Sequence, residues 1–192
     1  MSIAFVDHVG PWTIEDVEAL PDDGNHTRYE LLTPGVLTVT PAMLGTTHQR
    51  ASRRLANLLE AAVVAARAPY EVLPVISVEI PGGLLGVPDL LLINRAATAT
   101  DGSRCPSDSV LLAVEIVSPH TQPQDRIIKP QLYARAGIDH YWRLELGPRP
   151  HLIASTLGNG KYRRTLTALG GVVSTIDEPY PIQLDPAALA RQ

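Results

Sequence analysis

The sequence predicts a single α/β domain in which helices flank a mixed β-sheet and a hairpin lies near the N-terminus. Three observations predict this class. The length of 192 residues suits one domain. Hydrophobic residues make up 45% of the chain and charged residues 19%, which is typical of a protein that buries a core. Strand and helix patterns alternate along the chain. We expect the core at about residues 28–165 and a C-terminal arm at 168–192.

The first half of the chain shows a short helix, a hairpin and a long helix. "TIEDVEALPDDGN" predicts a short helix that stops at Pro21, and "RYELLTPGVLTVTP" predicts two strands around a Thr-Pro-Gly turn. Apolar residues recur at helical spacing within residues 45–69. Thr46 or Thr47 can cap this helix, and Pro69 ends it.

The second half alternates strands with one more helix. "YEVLPVISVEI" and "VPDLLLIN" predict strands on either side of a "PGGLLG" turn, and a polar loop at 95–109 leads to a strand at 110–117. "KPQLYARAG" predicts a short helix with Pro130 in its first turn and Gly137 at its end. "HYWRLEL" predicts a strand, and "PHLIASTL" with "KYRRTLTAL" predicts a hairpin.

Composition and motifs limit the function classes. The formal net charge of -4 gives no overall positive field that would attract nucleic acid, although a local groove matters more than the sum. Cys105 is the single cysteine, so a disulfide framework and a cysteine-based zinc site are excluded within one chain, and we expect a surface thiol. Zincin, phosphate-loop and serine-hydrolase motifs are missing from the sequence. With neither a signal-peptide pattern nor an 18-residue apolar run, we expect a cytoplasmic protein without a membrane partner.

Two acidic residues stand in strands that should be apolar. Asp89 precedes "LLLI", and Glu115 lies inside "LLAVEIV". Burying an unpaired carboxylate is costly, so each needs a cation or a water-filled cleft. Either acid alone is explained by an edge position or by a salt bridge to an arginine. Together, on successive strands, they offer oxygen ligands to a hard divalent cation such as Mg²⁺, which can polarise a phosphoryl oxygen and activate water.

Several short motifs follow one another in a specific order. They are "YELL" at 29–32, His48 at the helix start, "VPD" at 87–89, "VEIVSP" at 114–119, "DRIIK" at 125–129, "YARAG" at 133–137 and "HYW" at 140–142. Their order and spacing resemble the Uma-type endonucleases of the PD-(D/E)xK superfamily, over roughly residues 28–164. The resemblance implies a restriction-endonuclease-like core, DNA as the partner, and Mg²⁺ (or Mn²⁺) as the cofactor.

The resemblance also implies roles for particular residues. Asp89 and Glu115 would bind the metal, together with the backbone carbonyl of Ile116. Many members of the superfamily carry a lysine two residues after the second acid, where this chain has Val117. Lys129 instead matches the lysine that the Uma-type family carries on the following helix. A solvated lysine is the alternative, but the helix dipole disfavours a cation at a helix N-terminus.

The chain departs from the family pattern at a few positions. His120 replaces a small hydroxyl residue after "SP", and His140 replaces an acid before "YW". Pro130 restricts Lys129 to extended geometry, which could aim the side chain toward the site or away from it. None of these differences removes a predicted metal ligand.

Glu30 and His48 each have a functional and a structural interpretation, whereas Asp125 is interpreted as structural. Glu30 helps to hold metal or water, or it faces Arg28 or Arg50. His48 hydrogen-bonds an active-site carboxylate or touches substrate, or it is a partly exposed residue at the helix start. We interpret Asp125 as structural, because it could cap the segment before the helix or pair with the adjacent arginine.

Other charged and aromatic residues favour structural interpretations. The arginines at the start of the long helix form a basic patch that is more typical of a solvated face than of a phosphate contact. These residues are Arg50, Arg53 and Arg54. The aromatic residues in and after the predicted helix "KPQLYARAG" are more typical of a core than of a binding site. They are Tyr133, Tyr141 and Trp142.

The leading hypothesis is a Mg²⁺-dependent endonuclease that hydrolyses DNA phosphodiester bonds. Lys129 would stabilise charge or orient the attacking water, with Glu30 and His48 in support. The acidic balance and the displaced lysine favour an alternative, a catalytically inactive nuclease-fold module for binding or assembly. A third, weaker hypothesis is a metal-dependent hydrolase of nucleotides or RNA. A homodimer is compatible with cutting both strands of a duplex, although the sequence shows no direct sign of one.

Overall fold

The computed structural model describes residues 8–21, 24, 27–40, 45–99 and 102–191. Within these ranges the helices are α1 (Ile14–Glu18), α2 (Thr46–Ala66), α3 (Lys129–Arg135) and α4 (Pro186–Ala190). The strands are β1 (Arg28–Thr33), β2 (Val36–Thr40), β3 (Tyr70–Pro74), β4 (Ser77–Ile80), β5 (Leu84–Gly86), β6 (Leu90–Asn94), β7 (Arg104–Pro106), β8 (Val110–Val117), β9 (His140–Glu145), β10 (His151–Gly158), β11 (Lys161–Leu169), β12 (Ser174–Ile176) and β13 (Ile182–Leu184). A π-helical turn, Gln124–Ile128, runs directly into α3.

A six-stranded mixed sheet forms the centre of the fold, as the sequence predicts. Its strand order is β11-β10-β9-β8-β6-β3, and its neighbours are antiparallel except for the parallel pair β8 and β9. A second sheet has the order β2-β1-β5-β4-β7 and contains the predicted N-terminal hairpin. The two sheets bring β1 close to the ends of β6 and β8.

Helices cover both faces of the central sheet. The buried stripe of α2, which includes Leu55 and Leu59, packs in one cluster with Leu112 and Val114 of β8. Residues of α3 pack on the other face with Ala113. Because neighbouring strand residues point to opposite faces, Glu115 shares the α3 face with Ala113. The alternation of β8 therefore directs this carboxylate toward α3.

The segment predicted as one strand, "YEVLPVISVEI", is two strands in different sheets. β3 ends at Pro74, and Val75 has a positive φ of 55°, so the chain turns before β4. The prediction was wrong because Pro74 cannot donate to a continuing ladder and marks a strand end. "PGGLLG" is likewise more than a turn, since its last three residues form β5, which pairs with β1 and β4.

The long helix differs from its prediction at both ends. Gly45 occupies the N-cap position and no described side chain caps the helix, so the expectation for Thr46 or Thr47 was wrong. Those two threonines lie inside the first turn. The helix ends at Ala66, where Arg67 adopts a left-handed conformation with φ 52°, before Pro69 is reached.

Cys105 is buried rather than at the surface, so the expectation of a surface thiol was wrong. It lies on β7, which pairs with β4, and only 3% of its surface is exposed. Burial raises the pKa of the thiol to about 11, against the effect of a hydrogen bond with Ser109. A polar flanking sequence therefore conceals a short buried strand in the region predicted as a loop.

The C-terminal segment packs against α2. Ile182, Leu184 and Leu189 join the cluster of buried residues beneath the central sheet. Arg54 donates hydrogen bonds to backbone carbonyls near the end of α4, at 2.8 Å for Ala188. One arginine of the predicted basic patch is therefore engaged in structure. Among the described residues, no helix is both long and apolar enough to cross a membrane.

Candidate active site

A cavity of about 370 Å³ lies where β1, the start of α2, the end of β8 and the π-helical turn meet. It brings together the residues that the sequence predicts for the site, and it adds others that were not predicted. The predicted residues are Glu30, His48, Asp89, Glu115, Ile116 and Lys129. Arg28 and Asp125 are the additions that matter most for charge. Segments far apart in sequence therefore converge on one point.

Backbone geometry fixes Asp89 beside β8. Its N–H donates to the carbonyl of Val114 at 3.1 Å, and its Oδ2 accepts from the N–H of Ile116 at 2.7 Å. Just before β6 begins, the carboxylate of Asp89 thus accepts the hydrogen bond from the N–H of Ile116 that a backbone carbonyl of a neighbouring strand would otherwise accept. Only 3% of the surface of Asp89 is exposed.

We call Arg28, His48, Asp89 and Ile116 the Asp89 side of the cavity. Arg28 Nη2 lies 2.7 Å from Asp89 Oδ1. His48 Nε2 lies 3.1 Å from the carbonyl oxygen of Ile116 and 3.4 Å from Asp89 Oδ2. Because both neighbours of Nε2 are acceptors, this nitrogen carries the proton. His48 is buried and contacts a carboxylate, so the interpretation as a partly exposed residue was wrong.

The Asp89 side favours an ionised carboxylate. Burial alone would raise the pKa of Asp89. The hydrogen bond from His48, the charge of Arg28 and the N–H of Ile116 outweigh burial and hold the pKa well below its usual range. The charge of Asp89 likewise raises the pKa of Arg28 against the effect of burial.

We call Glu30, Glu115, Asp125 and Lys129, together with Tyr133, which contacts Glu115 but does not line the cavity, the Lys129 side. Lys129 Nζ lies 3.0 Å from Glu30 Oε1, 3.1 Å from Glu115 Oε1 and 3.8 Å from Asp125 Oδ1. Tyr133 donates its hydroxyl proton to Glu115 Oε1 at 3.0 Å. One ammonium group is therefore surrounded by three carboxyl groups.

Lys129 faces the cavity with a helical backbone. Its φ and ψ are -57° and -44°, so the expectation of extended geometry before Pro130 was wrong. Helical geometry before proline is disfavoured in free energy but not forbidden, and the ion pairs of the buried Lys129 outweigh that cost. The π-helical turn continues into α3 and brings Asp125 and Lys129, four residues apart, to the same side.

Charges on the Lys129 side are poorly balanced. Burial raises the pKa of Glu115 well above its usual range, against the opposing charge of Lys129. Burial also raises the pKa of Asp125 to about 6. Burial would lower the pKa of Lys129, but Glu115, Glu30 and Asp125 outweigh it and raise that pKa above its usual value. The lysine is thus a fixed positive charge.

Among the described residues, Glu30 forms its ion pair with Lys129 rather than with Arg28 or Arg50, although its charge also acts on Arg28. Its Oε1 also accepts from the N–H of Val87 at 2.8 Å. Arg28 and Glu30 are two residues apart on β1, and both side chains reach the cavity from one face of that strand. The sequence could have predicted Arg28 as a site residue, because a strand that directs Glu30 into the site directs the residue two positions before it to the same face.

Two more residues gained roles that the sequence did not predict. Asp125 is buried in the cavity, whereas Arg126 pairs with Glu145 at 2.8 Å, so the pairing of these two neighbours was wrong. Tyr133 is fully buried, as expected, but its hydroxyl contacts Glu115. A Cβ atom on Gly86 would lie 3.0 Å from that hydroxyl oxygen, so the glycine leaves room for the tyrosine.

The cavity fits a divalent cation in its donor chemistry. Its carboxylates and the carbonyl of Ile116 are hard oxygen ligands. Asp125 Oδ1 is buried and accepts no hydrogen bond in the part of the chain that is described. Within the same residues, no three His, Cys, Asp or Glu side chains form a ready metal cluster. Ion pairs of Arg28 and Lys129 occupy the predicted ligands Asp89 and Glu115.

The sequence model of the Uma2 family, described as "Putative restriction endonuclease", matches residues 14–189. This chain belongs to the Uma2 family. The match includes every residue of the Asp89 side and of the Lys129 side, and it supports a nuclease. No curated protein matches the sequence.

A solved structure supports the fold of this Uma2 chain. The crystal structure of a "putative nuclease belonging to DUF820" from Anabaena variabilis ATCC 29413 has a TM-score of 0.68 and 14% sequence identity. The alignment covers 93% of this chain and 97% of the other. The likeness extends over nearly the whole of both chains, so the two proteins share their fold.

Proposed function

We propose that this protein is a divalent-metal-dependent endonuclease that hydrolyses phosphodiester bonds in DNA. The observation that carries the proposal is the charge imbalance of the cavity. Among the described residues that line it, four carboxyl groups face two permanently charged cations. A buried site with surplus carboxylates gains most from a divalent cation. Membership of the Uma2 family supports the choice of a nuclease.

Asp89, Glu115 and the carbonyl of Ile116 would hold Mg²⁺ or Mn²⁺. Such an ion polarises a phosphoryl oxygen and lowers the pKa of water at the site. Asp89 is suited to this role because it stays ionised. His48 donates to both Asp89 and Ile116, so it would keep two of the three ligands in place.

Lys129 would act as a fixed charge rather than as a proton carrier. Its pKa is raised, so it stays protonated and cannot accept the proton of the attacking water. An ammonium in a buried site stabilises negative charge that develops on a phosphate. Glu30 and Asp125 would position Lys129, because each lies beside its ammonium group.

A DNA cleavage assay tests the proposed function. Wild-type protein should nick or linearise plasmid in the presence of Mg²⁺ or Mn²⁺ and should be inactive with EDTA. Glu115→Gln should reduce the rate by about 100-fold or more. Glu79→Gln is the matched control, because Glu79 is exposed on β4 and lies outside the cavity, and it should cut like wild type.

Equal background activity in wild type and Glu115→Gln on plasmid and linear DNA would contradict the proposal. RNA and nucleotides serve as competing substrates. Cleavage of either in preference to DNA would replace DNA as the substrate while keeping the metal-dependent chemistry. The homodimer stays a prediction, which sedimentation of the active protein would test.

One observation favours the alternative of a binding module without turnover. Both oxygens of Asp89 are engaged, one by Arg28 and the other by Ile116 and His48. If these contacts persisted in the presence of metal, the protein could hold DNA without cutting it. Binding of duplex DNA that is unaffected by Glu115→Gln, together with no cleavage, would support this alternative.

A further inference from the structure

Arg28 occupies an unusual position in the cavity. It is the first residue of β1, its side chain is only 9% exposed, and its Nη2 lies 2.7 Å from Asp89 Oδ1. Neither the sequence motifs nor the family match assigns it a role. An arginine that is nearly buried and aimed into a cavity of acids is placed for a charge interaction there.

The pairing of Arg28 competes with cation binding at Asp89. Oδ2 of Asp89 already accepts from Ile116 at 2.7 Å, and His48 lies 3.4 Å from it. The remaining oxygen, Oδ1, is the one that Arg28 contacts. A metal ion that binds Oδ1 of Asp89 therefore competes with the guanidinium group, because two cations next to one oxygen repel each other.

A displaced guanidinium would remain beside the bound metal, where the proposed reaction places a phosphate. Its planar fork of N–H donors matches two phosphate oxygens at once. Lys129 lacks such a fork, and three carboxyl groups already surround its ammonium, so it would act on the phosphate as a fixed charge rather than as a bidentate ligand. Among the described residues, the ion pair of Arg28 is with Asp89, which the metal would take over, while Glu115 and Glu30 act on Arg28 from farther away.

We propose that Arg28 is an exchangeable counter-ion, which neutralises Asp89 in the metal-free protein and binds a phosphate of the nucleic acid once a divalent cation holds Asp89. This inference rests on the proposed function and assigns a substrate-binding residue to the same site. It makes Arg28 a competitor of metal and a ligand of DNA. A variant that removes the charge of Arg28 should therefore bind metal more tightly and DNA more weakly.

The test uses Arg28→Met, which keeps much of the length and removes the charge, and Arg28→Lys, which keeps the charge and removes the fork. Arg163→Met is the control, because Arg163 is exposed on β11 toward the end of the sheet away from the cavity. Calorimetric titration with Mn²⁺ alone gives the metal affinity. Fluorescence anisotropy of a short duplex DNA with Ca²⁺, another oxygen-seeking cation, gives the DNA affinity.

Arg28→Met should bind Mn²⁺ about fivefold or more tightly than wild type and should bind DNA about fivefold or more weakly. Arg28→Lys should bind Mn²⁺ like wild type and DNA more weakly. Arg163→Met should leave Mn²⁺ affinity unchanged. Circular dichroism verifies folding, and if Arg28→Met is unfolded, Arg28→Gln carries the same expectations.

Unchanged or weaker Mn²⁺ binding in Arg28→Met would overturn the inference, as would unchanged DNA binding. The wild-type titration separates this failure from that of the proposed function. If wild type binds Mn²⁺ and Arg28→Met binds it equally, only the role of Arg28 fails. If neither protein binds Mn²⁺, both proposals fail. Mn²⁺ binding by Arg28→Met but not by wild type would support the counter-ion role of Arg28 and would contradict metal binding by the wild-type cavity.

Discussion

The two sides of the cavity hold the same kind of group in opposite surroundings. On the Asp89 side, one carboxylate meets a guanidinium, an imidazole N–H and a backbone N–H, and its pKa is lowered. On the Lys129 side, three carboxyl groups share one ammonium, and the pKa values of Glu115 and Asp125 are raised. The difference shows that positive charge is lacking on the Lys129 side. A bound divalent cation would correct that deficit.

Removing the ammonium should have the largest effect on stability. Lys129→Met leaves three buried carboxyl groups without their cation, so we expect a loss of about 3–5 kcal/mol in the free energy of unfolding near neutral pH. Chemical denaturation followed by circular dichroism measures this loss. Lys161→Met is the matched control, because Lys161 is the other lysine of the chain and is exposed. A loss below about 1 kcal/mol would show that the carboxyl groups do not depend on Lys129.

Asp125→Asn should stabilise the metal-free protein above about pH 6. The pKa of Asp125 rises from 3.8 to about 6 on folding, so the folded state binds more protons in that range and stability falls as pH rises through it. Removing the ionisable group should increase the free energy of unfolding by about 3 kcal/mol above that range and by little below it. Denaturation across the pH range measures the slope, with exposed Asp108→Asn as the control. If Asp125→Asn and wild type showed the same dependence of unfolding free energy on pH, the proposed excess of negative charge on the Lys129 side would be contradicted.

Tyr133→Phe should have a smaller effect. The substitution removes the hydroxyl that donates to Glu115 and leaves the ring packing in place. We expect a loss of about 1 kcal/mol in unfolding free energy. Tyr70→Phe, on β3 outside the cavity, should cost less. Equal losses for the two variants would indicate that the hydroxyl of Tyr133 is not a significant support of Glu115.

Arg126→Ala tests an ion pair outside the cavity and should have the smallest effect. Arg126 contacts both oxygens of Glu145, but its side chain is 41% exposed. We expect a small loss in the free energy of unfolding that shrinks in high salt. Thermal denaturation at low and high salt measures it. A loss as large as that of Lys129→Met would remove the distinction between exposed and buried pairs.

The sequence predicted the convergence of the two acids for a physical reason. Asp89 and Glu115 stand next to or within apolar strands that follow one another in the chain. The structure places both in one cavity, Asp89 directly before β6 and Glu115 on the adjacent strand β8. The mixed sheet was also predictable, since alternating strand and helix patterns set the fold class. Both inferences use only the local period of side chains and the cost of burying charge.

Details of the Lys129 side were beyond the sequence pattern. The π-helical turn directs Asp125 and Lys129 inward, where Lys129 forms ion pairs with Glu30 and Glu115, which lie far away in sequence. Local rules therefore predicted an extended Lys129 and a structural Asp125. The prediction of an exposed Cys105 was wrong for a similar reason, because β7, which contains it, pairs with β4 from a distant part of the sequence.

The central claim is that the cavity binds a divalent cation through its surplus carboxyl groups. Calorimetric titration of Mn²⁺ into wild type and Glu115→Gln tests it most directly, with Glu79→Gln as the control. We expect wild type and Glu79→Gln to bind one or two ions with equal affinity, and Glu115→Gln to bind at least about tenfold more weakly. Equal Mn²⁺ binding by all three proteins, or no binding by wild type, would contradict the account.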